Sequence, residues 1–183
     1  MVDKTEQKIL SAALKLFAEN GYKGATTLII AEEAGFSEKT LFRKFKTKEN
    51  LFNSVITQGS EKLEKDFETS IFLDNKFESS KDFLGILIKN LAKLTEDNYE
   101  YISLSINERN RVSGTTAAEE ITYILSDYIQ KNIQNKEIDY QIFTVTILSF
   151  IFNIIGDKYH GRTFIDIEDA LKKFTNNSVQ CIQ

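Results

Sequence analysis

Between Glu38 and Lys48 the chain carries Lys39, Arg43, Lys44, Lys46 and Lys48 against Glu38 alone, five cations minus one carboxylate for a local charge of +4. Ammonium and guanidinium groups so spaced do one kind of chemistry well. They pair with phosphate oxygens, and Arg or Lys can also reach the acceptor atoms of guanine in a major groove. The whole chain is acidic, with 23 Lys and Arg against 27 Asp and Glu and a net charge of −4 at pH 7, so the acidic excess lies elsewhere. A local basic patch, rather than a basic protein, is what counterion release from a nucleic acid requires.

The residues around the patch predict the elements that hold it. Thr26 or Thr27 can cap a short helix by accepting from an orphaned backbone N–H. Ile30, Ala31 and Ala34 then fall on one side at helical spacing, and the small Ala side chains let a second helix approach closely. Gly35 follows, where a left-handed backbone is cheap only for glycine. Phe36 can pack into the corner, and Ser37 is a good cap for the next helix. That helix is predicted over Glu38–Phe45. Leu41 and Phe45 share its anchor face, and Lys39 and Arg43 lie close to the opposite face. Thr40 and Lys44 flank one side of the Lys39–Arg43 stripe, and Phe42 flanks the other. Thr47, Lys48 and Glu49 read as the cap and first turn of a third helix. Lys48 there works against the helix dipole unless the N-terminus and the ammonium share a phosphate. Two short helices, a tight turn and a cationic outer face predict a helix-turn-helix.

Thr26-Thr27, Ile30-Ala31, Ala34-Gly35-Phe36-Ser37, Thr40-Leu41-Phe42, Phe45-Lys46 and Lys48-Glu49 with Leu51 resemble the signature of the TetR family of one-component transcriptional regulators. Leu16-Phe17 and Asn20-Gly21-Tyr22 in the preceding segment match it in kind and spacing. The resemblance covers about the first quarter of the chain. It implies a DNA-facing set of Thr26, Thr27, Ser37, Lys39, Thr40, Phe42, Arg43, Lys44 and Lys48, with double-stranded operator DNA as partner. Three places depart from the family pattern. Leu28 and Ile29 are apolar where charged or polar residues are usual, Phe42 stands where Tyr is common, and Lys44 replaces a frequent aromatic or His. They bear on operator sequence and affinity more than on fold.

The rest of the chain also reads as helix. Lys4 to Asn20 is amphipathic and closed by Gly21. A long helix from Lys48 to about Ser70 becomes strongly charged beyond Leu63, as a connecting helix would. A turn is expected at Leu73–Lys76. Further helices are expected over Ser80–Glu96, Tyr99–Asn110, Thr116–Gln134, Ile138–Tyr159 and Asp166 to about Val179. The fold class is therefore all-α with about nine helices. A helix-turn-helix domain is expected over 1–47 and a helical ligand-binding and dimerisation domain over 48–183, with the helix from 48 connecting the two.

Ile138–Tyr159 is apolar nearly all round, which calls for a second packing surface beyond one protomer's core. With the narrower stripe of the last helix it predicts a homodimer through Phe143, Ile147, Phe150, Ile151, Ile154, Ile167, Leu171 and Phe174. A central core helix within one protomer is the alternative. The family resemblance implies an unknown small-molecule effector held in the middle of the chain. Candidate contacts are Phe83, Tyr99, Tyr101, Tyr123, Phe143, Phe150 and Asn153. Core aromatics look the same in sequence. Arg109 and Arg111 could face an acidic ligand or solvent.

Enzymatic function has little to draw on. One His and one Cys cannot make an ordinary zinc site, so no metal or cofactor is expected, and there is no glycine-rich phosphate loop. The adjacent acidic pairs Glu32-Glu33 and Glu119-Glu120 do not face one partner on a helix. A lone Cys181 excludes an internal disulfide and fits a reducing cytoplasm. The N-terminus is charged, unlike a signal peptide. The apolar run Ile142–Ile155 is interrupted by Thr144, Thr146, Ser149 and Asn153 and falls short of the ~20 residues that span a bilayer. The function read from sequence is a ligand-responsive homodimeric regulator, a repressor by resemblance, on a palindromic operator. The competing reading is a helical dimeric interaction module whose helix-turn-helix no longer reads DNA.

Overall fold

In the computed structural model, which describes residues 3–72, 77–162 and 165–182, the Asp3 carboxylate caps the first helix by accepting from the Glu6 N–H at 2.8 Å. The turn expected at Leu73–Lys76 lies outside the described residues. Among those residues there are nine α-helices, one 3-10 turn and no strand. The helices are α1 Lys4–Gly24, α2 Thr27–Glu33, α3 Glu38–Phe45, α4 Lys48–Ile71, α5 Ser80–Asp97, α6 Tyr99–Asn107, α7 Ala117–Ile133, α8 Tyr140–Tyr159 and α9 Ile167–Gln180. The 3-10 turn, Arg109–Arg111, follows α6. In α1 the regular helix stops at Gly21, whose φ of 68° is open to glycine at little cost, and one more turn carries the chain to Gly24.

The helices form two compact units, Met1–Lys62 with Glu100–Thr116, and Leu63–Tyr99 with Ala117–Gln183. This differs from a division at residue 48, and the core explains why. Ile9, Leu10, Ala13 and Phe17 of α1 pack with Ile30 and Ala31 of α2 and Leu41 and Phe45 of α3. The same cluster takes in Leu51, Phe52 and Val55 of α4 and Leu104 of α6. Phe17, Tyr22 and Phe52 make a ring cluster with centroids 5.2 to 5.8 Å apart. Fully burying one such side chain stabilises by about 1.5–3 kcal/mol. The first turns of α4 and α6 from Glu100 onward therefore belong with the three N-terminal helices.

In the second unit α5 packs against α7, α8 and α9, and α7 against α8. Its core holds Phe83, Leu84, Leu87, Ile88 and Leu91 of α5, Ile121, Leu125 and Ile129 of α7, and Ile147, Ile151 and Ile155 of α8. By length and composition α8 could cross a membrane, being 20 residues long with a hydropathy of 1.4. Its faces differ, however. Tyr140, Thr144, Ile147, Ile151 and Ile155 recur every three or four residues and are buried, whereas Ile142 is 67% and Val145 50% exposed.

This corrects the expected dimer surface. Ile147 and Ile151 are fully buried inside their own protomer, because they lie on the stripe that meets α5 and α7. Phe143, Phe150, Ile154, Ile167, Leu171 and Phe174 are only half-buried, and Phe150 stacks on Phe174 at 4.0 Å between centroids.

Candidate nucleic-acid interface

Each piece of the N-terminal motif is held by a local bond. The Thr26 hydroxyl caps α2 by accepting from the Ile29 N–H at 3.2 Å. Gly35 turns the chain with a φ of 78°, and the Phe36 N–H returns to the Ala31 carbonyl at 2.8 Å. Ser37 caps α3 by accepting from the Thr40 N–H, and the two hydroxyls lie 3.1 Å apart. The Thr27 hydroxyl donates to the Glu38 carboxylate at 2.6 Å, tying the first turns of α2 and α3 together. Leu41 and Phe45 are buried and fix the roll of α3 about its axis. That roll leaves Lys39, Phe42, Arg43 and Lys46 exposed.

The cations divide into two groups. Lys39 and Arg43 are exposed and have no ion pair among the described residues, while Lys46 donates only to the Arg43 carbonyl. Lys44 is drawn the other way, into ion pairs with Asp3 and Glu6 on α1. That bond from Lys44, followed by the Glu6 N–H, holds the Asp3 carboxyl below its ordinary value. Lys48 is half-buried, with its ammonium 4.5 Å from the Tyr22 ring centroid and 5.9 Å from that of Phe17. Burial first, and the Arg111 charge second, push it below the usual lysine value. At the start of α4 the Thr47 hydroxyl accepts from the Asn50 N–H at 3.0 Å.

Sequence reasoning missed the second cation on the Tyr22 ring. The Arg111 guanidinium lies 4.1 Å from the Tyr22 ring centroid and pairs with Glu108 at 3.2 Å and Glu49 at 3.9 Å. Glu108 also accepts from the Tyr22 N–H at 2.8 Å. Arg111 is thus committed inside the first unit rather than offered to an acidic ligand. The separation in sequence, 86 residues between Tyr22 and Glu108, hides this from any local pattern.

The structure places the expected effector contacts in different surroundings. Tyr101 belongs to the first unit, where its ring fills the space beside Gly59 so closely that a Cβ there would come within 2.2 Å. Tyr123 is 65% exposed on the outer side of α7. In the second unit Phe83 and Tyr99 are buried, Phe143 and Phe150 are half-buried, and Asn153 is exposed and donates to the Ser149 carbonyl at 2.7 Å. Tyr99 packs over Gly156 and near Phe152 and Tyr159. Thr144 Oγ1 is the one buried side-chain polar atom among the described residues with no hydrogen-bond partner.

Residues 9–55, the segment from α1 into α4 just described, match the family described as bacterial regulatory proteins, tetR family. Over this segment the chain is similar to that family. It is 36% identical over 104 residues to the uncharacterized HTH-type transcriptional regulator YvkB of Bacillus subtilis, a match spanning 57% of this chain and about half, 52%, of that protein. To the fatty acid metabolism regulator protein of Bacillus subtilis it is 26% identical, over 96% of this chain and 92% of the other. The solved structure of a Clostridium perfringens putative fatty acid metabolism regulator shares its fold, with a TM-score of 0.66 at 22% identity over 96% of this chain and 98% of that one. All three are described as regulators, YvkB as an HTH-type transcriptional regulator.

Proposed function

We propose that the chain is a homodimeric, ligand-responsive transcriptional repressor that reads a palindromic operator through α3. The observation that carries this is the orientation of α3, with Leu41 and Phe45 buried and Lys39 and Arg43 exposed on the far side. Each protomer places that face in a major groove, and two such helices about 34 Å apart read two half-sites. Thr26 stands at the start of α2, Ser37 and Thr40 at the start of α3 and Lys48 at the start of α4, where hydroxyls, ammonium and backbone N–H groups suit phosphates.

Dimerisation uses the apolar face that α8 leaves exposed, Ile142 and Val145, alongside Ile167, Leu171 and Phe174 of α9. The exposed apolar area supports this reading, since such a face seldom stays in water. The effector enters the second unit, whose interior is apolar apart from a few hydroxyls and amides. The unpartnered Thr144 hydroxyl supports a ligand there, because a buried hydroxyl without a partner costs about 1–3 kcal/mol. The names of the Bacillus subtilis and Clostridium perfringens relatives favour a fatty acyl compound. Its binding shifts the population away from the one arrangement that fits both half-sites, and repression ends.

Selection from a random duplex pool, followed by a salt titration on the winner, tests the proposal. A palindrome with a steep salt slope is expected, and acyl compounds of graded length should release it. The competing reading, an interaction module that no longer reads an operator, draws on Leu28, Ile29 and Phe42, which are apolar and exposed on the motif itself. Under that reading a folded dimer selects no sequence.

A further inference from the structure

The apolar residues on the motif are not spread evenly around it. At about 100° per residue, Ile29 shares its face of α2 with Glu33, whose carboxylate takes Lys15 of α1 at 2.8 Å. Leu28 lies on the opposite rim of α2, away from α1, and the residue before it, Thr27, is bonded to Glu38 of α3. On α3, Lys44 marks the rim nearest α1 through its ion pairs with Asp3 and Glu6. Phe42 lies on the other rim, beside Glu38 and so beside α2. The two rims that border each other across α2 and α3 therefore carry Leu28, 50% exposed, and Phe42, 40% exposed, next to the cations Lys39 and Arg43.

We propose that Leu28 and Phe42 form the apolar part of the DNA-reading surface and take the C5-methyl groups of thymines flanking the bases contacted by Lys39 and Arg43. This rests on reading α3 as a major-groove helix. The occupant follows from charge. A face bordered by Lys39, Arg43 and Lys46 draws a polyanion, and the apolar groups a major groove offers are thymine methyls. Each half-site then has a thymine that no hydrogen bond reads. Ile29, on the α1 side, takes no part.

Deoxyuridine tests this without altering the protein, since it removes the methyl group and keeps the pairing. On the duplex selected from a random pool, replacing each thymine in turn is expected to weaken binding of the unaltered chain about fourfold at one or two positions per half-site, the factor for one buried methyl group. Leu28→Ala and Phe42→Ala should bind thymine and deoxyuridine duplexes equally at those positions, while Ile29→Ala keeps the full preference. A flat deoxyuridine scan on a duplex that is still selected overturns the proposal and leaves the operator reading standing. So does a preference that survives both alanine variants. Failure to select any duplex overturns both.

Discussion

Helices α3 and α8 are built alike and advertise different things. Each buries one stripe, Leu41 and Phe45 in α3 and Thr144, Ile147, Ile151 and Ile155 in α8, and each leaves the opposite face to solvent. On α3 that face is led by Lys39 and Arg43, and on α8 by Ile142 and Val145. A cationic face is stable in water and needs no cover, so its value lies in what it attracts. An apolar face is a cost until something covers it. The same amphipathic rule thus leaves a cationic face at one place and an apolar face at the other, the first suited to a nucleic acid and the second to a protein.

The comparison breaks most visibly at α8. Ile142→Asp with Val145→Asp should convert a dimer to a monomer by sedimentation. Operator affinity should fall by about a hundredfold to ten-thousandfold as the two half-sites lose their linkage. A variant that stays dimeric would remove α8 from the interface. At α3, Arg43→Ala should weaken the selected operator by about tenfold to a hundredfold, as loss of one base contact does. Non-specific duplex should suffer far less, and thermal stability should hold, since the side chain is exposed. Equal losses on all sequences would demote Arg43 to a phosphate contact.

Smaller effects sharpen the picture. Thr144→Val should stabilise the chain by about 1 kcal/mol in urea unfolding, because it removes a buried hydroxyl that has no partner. The same change should weaken effector binding if the hydroxyl serves the ligand. The smallest effect concerns the Asp3–Lys44 pair. The Asp3 pKa is lowered below 3.8 by Lys44, so its contribution to stability is complete above that value and is lost as the pH falls through the folded value. Asp3→Asn should flatten the acid limb of the stability curve slightly and leave neutral and alkaline pH unchanged.

What could be read in the sequence and what could not follow from range. The bounds Glu38–Phe45 were legible because a cap, an anchor pair and a following turn all lie within a dozen residues. The turn at Gly35 was legible because its backbone conformation suits one residue type. The ion pair of Lys44 and the cationic neighbour of Lys48 were not, since Asp3 and Arg111 come from distant segments. The two faces of α8 were hidden for another reason. With apolar residues nearly all round, periodicity cannot say which stripe is inside, and Ile147 and Ile151 were assigned to the wrong one. The surroundings of the candidate effector contacts were hidden too, because an aromatic ring such as Tyr101 that fills a gap beside Gly59 has the same letter as one that lines a pocket.

The bond from the Tyr22 N–H to Glu108 has a consequence for how the molecule is made. The helix-turn-helix cannot complete its core until Leu104 and Glu108 have been synthesised, since both belong to its unit. At about 5–20 residues per second, the nascent chain waits several seconds after Phe45 has been added before those residues exist. The helix-turn-helix is thus finished only after the chain has grown well past it, and a message cut short after α4 would release the motif without the segment that closes it.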